Sequence, residues 1–210
     1  QWQPDTRQVE AWYGCQSQTL DQKAIAKVFK KNNRFAGIKN SLASLKPYQV
    51  KINTLYAGGS FGRRASSSSD FVVETAEIVK AIDGKAPVKL VWSREDDLRA
   101  GAYRPAYYHT VKAALDTTGK ITTWEQRIVG QSILEGTLYA LVAIQGGVDQ
   151  TSVEGAANLP YTIPHLSVQL HSPKIGVPVL WWRSVGSSHT AFVVETVMDE
   201  LATLAQQDPV

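Results

Sequence analysis

Val50-Lys51-Ile52-Asn53-Thr54-Leu55-Tyr56, then Gly58-Gly59-Ser60-Phe61-Gly62-Arg63-Arg64, then a run from Asp70 to Ile82, is the stretch around which the chain organises itself. The first segment alternates with period two, as a half-buried strand does. In the third, Phe71, Val72, Thr75, Ala76, Val79 and Ile82 recur at helical spacing. The glycines therefore sit on a strand-to-helix turn. Glycine there permits positive φ and lets a ligand reach the backbone without meeting a Cβ, while free N–H groups can donate to anionic oxygens. Arg63 and Arg64 place fixed positive charge and forked donors beside the turn. An isolated Gly-Gly-x-x-Gly is more often only a tight turn. It is not a P-loop, because no Lys-Ser/Thr follows the last glycine, nor a G-x-G-x-x-G dinucleotide fingerprint. Residue chemistry alone leads to an anion-binding turn.

Outward from that turn, strands and helices mix without a strict βαβ rhythm. Val9 to Tyr13 reads as a strand and Ser17 to Lys30 as a helix with Leu20, Ala24, Ile25, Val28 and Phe29 on one side. Lys31 to Pro47 reads as a loop with a short helical piece at Leu42 to Leu45. Asp83-Gly84 stops the helix that follows the glycine turn, and Pro87 to Trp92 reads as a buried strand. Tyr107 to Leu115 and Ile121 to Val129 alternate around Asp116-Thr117-Thr118-Gly119, which is a hairpin pattern. Leu134 to Ile144 fits a helix or an apolar loop, broken by Gly146-Gly147, and Ile163 to Leu170 reads as a strand. Ser187 or Ser188 is a candidate cap for a last helix carrying Val194, Val197, Met198 and Leu201. The class is α/β or α+β, a mixed sheet with packed helices.

Composition sets the bounds. With 210 residues, 43% hydrophobic and 20% charged, the chain is ordinary for a soluble globular protein. A net charge of +3 with basic residues scattered outside Lys27-Lys30-Lys31-Arg34 and Arg63-Arg64 argues against a nucleic-acid surface. Cys15 is the single cysteine, so neither an intrachain disulfide nor a cysteine-held cluster can form within this segment. No apolar run reaches the length of a membrane span, and Gln1-Trp2-Gln3-Pro4-Asp5 has neither an initiator Met nor a signal-peptide pattern. The expectation is a segment of something longer.

Four blocks in one order resemble the molybdenum-binding subunit of the xanthine dehydrogenase and aldehyde oxidase family, in particular its isoquinoline 1-oxidoreductase beta-subunit branch. They are GGSFGRR with the following Asp70-Phe71 and Glu74; Pro87 to Asp97; Tyr103-Arg104-Pro105-Ala106; and Val177 to Phe192 running into Glu195 and Asp199-Glu200-Leu201-Ala202. The resemblance implies that residues 1–210 are the molybdenum-cofactor-binding portion of a larger subunit, as one domain or as two subdomains of about 1–106 and 107–210. It implies molybdenum held by a pterin dithiolene, in bacteria usually as molybdopterin cytosine dinucleotide, and hydroxylation of an N-heterocycle or an aldehyde carbon with oxygen from water. Electrons then leave through iron–sulfur centres on a small partner subunit, and the rest of the large subunit is the other partner.

Site roles follow from the same resemblance. Gly58, Gly59, Ser60, Phe61, Gly62 and Arg63 match the glycine segment that faces the oxo ligand and pterin, although many members have a third glycine where this chain has Ser60. Gln16 matches a glutamine whose neutral amide donates to an oxo ligand; Cys15 before it stands where many members have threonine. Arg104, Arg183, the turn to Gly186, and His189 match cofactor-facing positions. Read without the resemblance, Gln16 is a loop residue, Arg104 a salt-bridge partner of Asp96 or Asp97, Arg183 to Gly186 a structural turn beside core tryptophans, and His189 a cap or surface histidine. His109, His165 and His171 lack metal spacing and read as structural. No protein ligand to the metal and no catalytic residue is expected within the chain. The family's general-base glutamate has no match before Val210, and Glu154, although it precedes Gly155, is not assigned catalysis. The alternatives left open are a phosphate- or nucleotide-binding protein using the Gly58 to Arg64 turn, and a non-catalytic assembly module. Export signals on many relatives favour the periplasm over the cytoplasm.

Overall fold

The computed structural model describes residues 1–29 and 45–209, and the chain divides into two units, Gln1–Gly101 and Ala102–Val210. The short helix expected at Leu42 to Leu45 and the basic residues Lys30, Lys31 and Arg34 lie outside the described residues, apart from Leu45 itself.

The first unit is built on a three-stranded sheet in the order β1 (Trp2–Gln3), β2 (Gln8–Tyr13), β3 (Val50–Thr54). β1 runs antiparallel to β2, whereas β2 and β3 are parallel, with Val9 opposite Val50 and Tyr13 opposite Thr54. Parallel neighbours need a crossover, and α1 (Gln18–Val28) lies within it. The expected helix after the glycine turn is α2 (Asp70–Ala81), and Asp83 and Gly84 end it with positive φ, Gly84 donating its N–H to the Val79 carbonyl. Val9, Ile25, Val50, Val72, Ala76 and Val79 form the core between sheet and helices. The helical stripe buries Val72, Ala76 and Val79 as its spacing promised, whereas Ile82 lies past the end of α2 and is exposed. Asp21, in the first turn of α1, is fully buried.

Pro87 to Trp92 is not a buried strand. It makes no ladder among the described residues, and Val91 is 73% exposed. Val88, Leu90 and Trp92 are half-buried, and the segment from Val88 to Trp92 lines a cavity of about 800 Å³ that β2 and α2 also border. The apolar run is real, but a strand also needs a partner within hydrogen-bonding distance, and composition says nothing about that. The segment is tethered instead by the Trp92 indole N–H, which donates to Glu74 Oε2 at 2.9 Å. It leads into α3 (Arg94–Ala100), whose Ser93 and Asp96 form a capping box.

The second unit starts from the expected hairpin, β4 (Tyr107–Leu115) against β5 (Ile121–Gly130). Asp116 Oδ1 accepts from Thr118 N and Lys120 N to hold the turn. The hydrophobic run from Leu134 is mostly turn, with one short helix α4 (Ala140–Ala143), and Gly146-Gly147 is the tip of a small hairpin between β6 (Ile144–Gln145) and β7 (Val148–Asp149). Both glycines have positive φ, as a two-residue hairpin turn with matching twist requires. After α5 (Gln150–Val153), β8 (His165–His171) adds parallel to β5. The last helix, α6 (Ser187–Ala205), packs Val194, Leu201, Val197 and Met198 around Trp124. Neither Ser187 nor Ser188 caps it: Gly186 occupies that position, and the Ser188 hydroxyl donates back to the Val185 carbonyl.

Candidate cofactor site

Because β2 and β3 are parallel and in register, the segments leaving their C-terminal ends emerge side by side. One is Gly14-Cys15-Gln16, the other Leu55 to Arg64. Gly14 is required for their approach, since a Cβ there would lie 2.3 Å from that of Ala57. Two bonds clasp the segments: Arg64 N–H donates to Gln16 Oε1 at 3.1 Å, and the Arg64 guanidinium donates to the Gly14 carbonyl at 3.2 Å. Since a backbone N–H takes the amide oxygen of Gln16, its exposed NH2 end remains as a donor beside the glycine loop.

The loop runs largely through positive φ. Gly58, Gly59, Phe61 and Gly62 have φ of 66°, 119°, 52° and 100°. Among the described residues, no acceptor takes the amide N–H groups of Gly58 through Gly62. Consecutive amides in such left-handed turns form a concavity for anionic oxygens. A Cβ on Gly58 would meet nothing within 4 Å, so the approach to the backbone there is open. α2 starts only at Asp70, after a 3₁₀ turn over Arg63–Ala65, so the loop's donors are not those of the helix N-terminus.

The two arginines are not free cations. Arg63 forks onto Asp70, with contacts of 3.0 and 2.6 Å, and its own N–H donates to the Ser60 carbonyl. Burial pushes the Asp70 carboxyl up, but the guanidinium and the Phe71 N–H outweigh it and hold the pKa below its ordinary value. Arg63 and Arg64 thus clamp the loop to α2 and to the turn after β2. Behind Gln16, Tyr13 OH and Cys15 Sγ both donate to buried Asp21 Oδ2, and burial pushes the thiol pKa up. Cys15 is held as an inert thiol.

The second unit holds the remaining expected residues. Arg104 donates to the Arg183 carbonyl at 3.1 Å. The Ser184-Val185 turn has φ of 71° and 41° and delivers the chain into α6 at Gly186. Glu154 serves this junction: its Oε2 accepts from Gly186 N, and its backbone carbonyl accepts from the Thr190 hydroxyl.

His189, at the start of α6, stacks on the Tyr107 ring at 3.6 Å between centroids, and its Nδ1 lies 3.0 Å from His109 Nε2. His109 is therefore not a bland strand histidine but half of a pair. Residues 109 and 189 are 80 positions apart, so no local pattern could join them. What was legible is that Tyr107 and His109, and Trp124 and Gln126, share inward faces of their strands by parity. Gln126 is fully buried between Trp124 and His109. Among the described residues, His189 Nε2 and Trp182 Nε1 are buried with no partner.

Burial lowers the pKa of both histidines, that of His189 to about 4, with the neighbouring His109 and Arg104 pushing the same way. Below pH 6.5 the unfolded chain takes up a proton that the folded chain refuses, so stability is expected to fall with pH until it levels off near pH 4. Allowing for its half-exposed setting, His189 contributes about 1–2 kcal/mol to that loss. Thermal unfolding between pH 7 and 4 should show the decline, and His189→Gln should remove most of it.

In the first unit the loop amides and the Gln16 NH2 are donors, and an acceptor-rich anionic group such as a phosphorylated pterin fits that chemistry. Among the described residues no group of three or more His, Cys, Asp or Glu is arranged to hold a metal ion.

The sequence matches the molybdopterin cofactor-binding domain over residues 1–210, and the chain belongs to that family. It is 28% identical to isoquinoline 1-oxidoreductase subunit beta of Brevundimonas diminuta over 202 residues, covering 96% of this chain and 23% of that protein. It is 30% identical over 173 residues to a membrane-bound aldehyde dehydrogenase [pyrroloquinoline-quinone] of Gluconacetobacter polyoxogenes, covering 77% of this chain and 21% of the other. The fold matches quinoline 2-oxidoreductase from Pseudomonas putida 86 with a TM-score of 0.71 at 17% identity, covering all of this chain and 24% of that one. The chain thus spans about a quarter of the length of the relatives it matches. The mixed α/β architecture and the family expected from the sequence are both borne out.

Proposed function

We propose that this chain forms the cofactor cradle of a molybdenum hydroxylase subunit that oxidises an N-heterocycle or an aldehyde. The observation that carries the reading is the clasp of Gln16 onto Arg64 N at the end of the glycine loop, whose amide N–H groups from Gly58 to Gly62 have, among the described residues, no backbone acceptor. When bound, the cofactor supplies the two-electron redox chemistry by which oxygen from water is transferred to carbon. The chain's own residues bind and orient it: the loop donates to anionic oxygens, Gln16 offers a neutral donor, and Arg63 and Arg64 hold the loop's shape through Asp70 and Gly14.

Further parts of the reading rest on the named relatives and the family resemblance. The cofactor is the cytosine dinucleotide form. The general-base glutamate comes from elsewhere in the same subunit, because Glu154 is engaged at the start of α6. Electrons pass to an iron–sulfur small subunit, and the complex is periplasmic. Among the described residues no helix is long and apolar enough to cross a membrane. The rival readings, a plain nucleotide-binding protein or an assembly module, draw no support from the relatives.

The test is to co-express the full-length subunit with its iron–sulfur partner in a host that makes the cofactor, and to measure molybdenum together with the released small molecules. About one molybdenum and one cytosine nucleotide per subunit is expected. A preparation lacking both would overturn the reading, and release of a quinone instead would move the chain towards the chemistry in the Gluconacetobacter relative's name.

A further inference from the structure

The sheet of the first unit has an open edge beside its large cavity. β1 pairs with β2 through Gln3–Gln8 and Trp2–Val9, and next to these Gln1 and Glu10 exchange both backbone bonds, at 2.9 and 2.7 Å. Successive residues of a strand aim their backbone groups to opposite sides. Tyr13 accepts from Leu55 N–H on the β3 side, so Val9, Ala11 and Tyr13 face β3, while Glu10 and Trp12 face the β1 side. Among the described residues nothing there takes the N–H or the carbonyl of Trp12. Residues Val9 to Gly14 line the cavity of about 800 Å³ without a gap, and so do Val88 to Trp92. The latter segment alternates half-buried Val88, Leu90 and Trp92 with exposed Lys89 and Val91, yet makes no backbone hydrogen bond among the described residues.

We propose that in the full-length subunit β1 continues upstream of Gln1, and that this continuation fills the cavity as a strand pairing with β2 on one side and with Val88 to Trp92 on the other. Direction and register select this occupant. Because β1 is antiparallel to β2, its upstream continuation runs past Ala11, Trp12 and Tyr13 towards Gly14, which is the stretch that lines the cavity. Four residues rising about 3.4 Å each reach the level of Gly14. The first residue before Gln1 then lies opposite Ala11, the second opposite Trp12 and the third opposite Tyr13. Bonded pairs alternate with unbonded ones, so the pair after Gln1–Glu10 is the one at Trp12, and it takes both free groups of that residue. The first and third residues aim their backbone groups the other way, at Val88 to Trp92. Side chains follow the same parity. Trp2, Ala11 and Tyr13 pack on the core side, so the first and third residues before Gln1 are apolar and face Val72 and Ala76 of α2, while the second lies beside exposed Trp12. A strand meets both demands of the cavity, since its backbone pairs with peptide groups on the rims and its alternate side chains cover the apolar face of α2. β2 leads directly into Gly14-Cys15-Gln16, so the added strand also braces the turn that presents Gln16.

The added strand rests on the proposed function only in taking the chain as part of a longer subunit, as its share of about a quarter of its relatives' length supports. Amide hydrogen exchange on the full-length subunit reads the pairing directly. The amides of Trp12 and of residues between Val88 and Trp92 should exchange at least about a hundredfold more slowly than in an unstructured peptide. A cross-link identifies the occupant. Residues opposite each other in a bonded antiparallel pair stand about 5.5 Å apart at Cα, within the span of a disulfide. Trp12→Cys combined with a cysteine at the second position before Gln1 should therefore close a disulfide on oxidation, seen by peptide mapping. Free exchange at Trp12 in the wild-type subunit, or a folded double-cysteine variant that forms no such disulfide, would overturn the proposal. Molybdenum is measured on the same preparation. Slow exchange and the cross-link in a subunit without molybdenum keep the strand and remove the hydroxylase reading; molybdenum with free exchange at Trp12 does the reverse.

Discussion

Gly59→Val is expected to cut the molybdenum content of the co-expressed full-length subunit at least tenfold while leaving its melting temperature nearly unchanged. Gly59 has φ of 119°, a conformation that side chains with a Cβ rarely adopt, and a β-branched residue adopts least of all. A Cβ there would also come within 2.8 Å of the Phe61 ring, which is exposed and can swing aside. The cost therefore falls on the backbone. The loop escapes it by turning the peptide over, and the row of unbonded amides no longer converges. Since the loop is exposed and contributes no residue to the core, global stability has little to lose. Losing one charge-assisted hydrogen bond costs about 1.5–3 kcal/mol, and several are lost together. Gly58→Ala is the matched control: its φ of 66° lies in the left-handed region that alanine can reach at a cost of about 1–2 kcal/mol, and its Cβ would meet open space. It should keep most of the molybdenum. Equal loss in both variants would mean that the loop's conformation is not what binds.

Gly186→Ala should be the most destabilising of the single substitutions considered, although helix propensity alone would favour it. Gly186 has φ of −65° and ψ of −39°, where alanine is comfortable. The obstacle is spatial. A Cβ would lie 2.1 Å from the Thr151 carbonyl oxygen and 2.9 Å from Glu154 Cβ. The first of these is backbone, so α5 or the start of α6 must move. That shift would break the bond from Gly186 N to Glu154 Oε2 and move His189 away from His109. Overpacking of this kind costs about 1–3 kcal/mol, or a fall in melting temperature of roughly 2–12 °C for a chain of this size. Thermal unfolding of the variant against wild type measures it, and an unchanged or raised melting temperature would show that propensity outweighs packing at this junction.

These two glycines mark what can be read locally and what cannot. Gly58 and Gly59 announced themselves, because strand alternation, a glycine run and a helical period name a turn that needs positive φ. Gly186 looked like an ordinary member of a Ser-Val-Gly turn, and only Thr151, 35 residues earlier, makes it indispensable. The Asp116 to Gly119 hairpin and the stripe of α6 were legible for the same reason as Gly58: their signals lie within one element. Pro87 to Trp92 misled because it carries a buried strand's apolar run without, among the described residues, a strand's partner. Arg63 and Arg64 read as loose positive charge, and Asp70, Gly14 and Gln16 turned them into clamps.

By itself the sequence determined the mixed α/β class, the glycine turn, the family and most of the residues worth testing, because each depends on neighbours within a turn or two or on an ordered set of motifs. The tertiary structure alone decided which way the Gln16 amide faces, that Arg63 is held by Asp70, and that His109 and His189 pair across 80 residues. Hydrogen-bond direction and tautomer belong to groups brought together from distant parts of the chain, and a linear pattern carries no information about which donor will meet which acceptor.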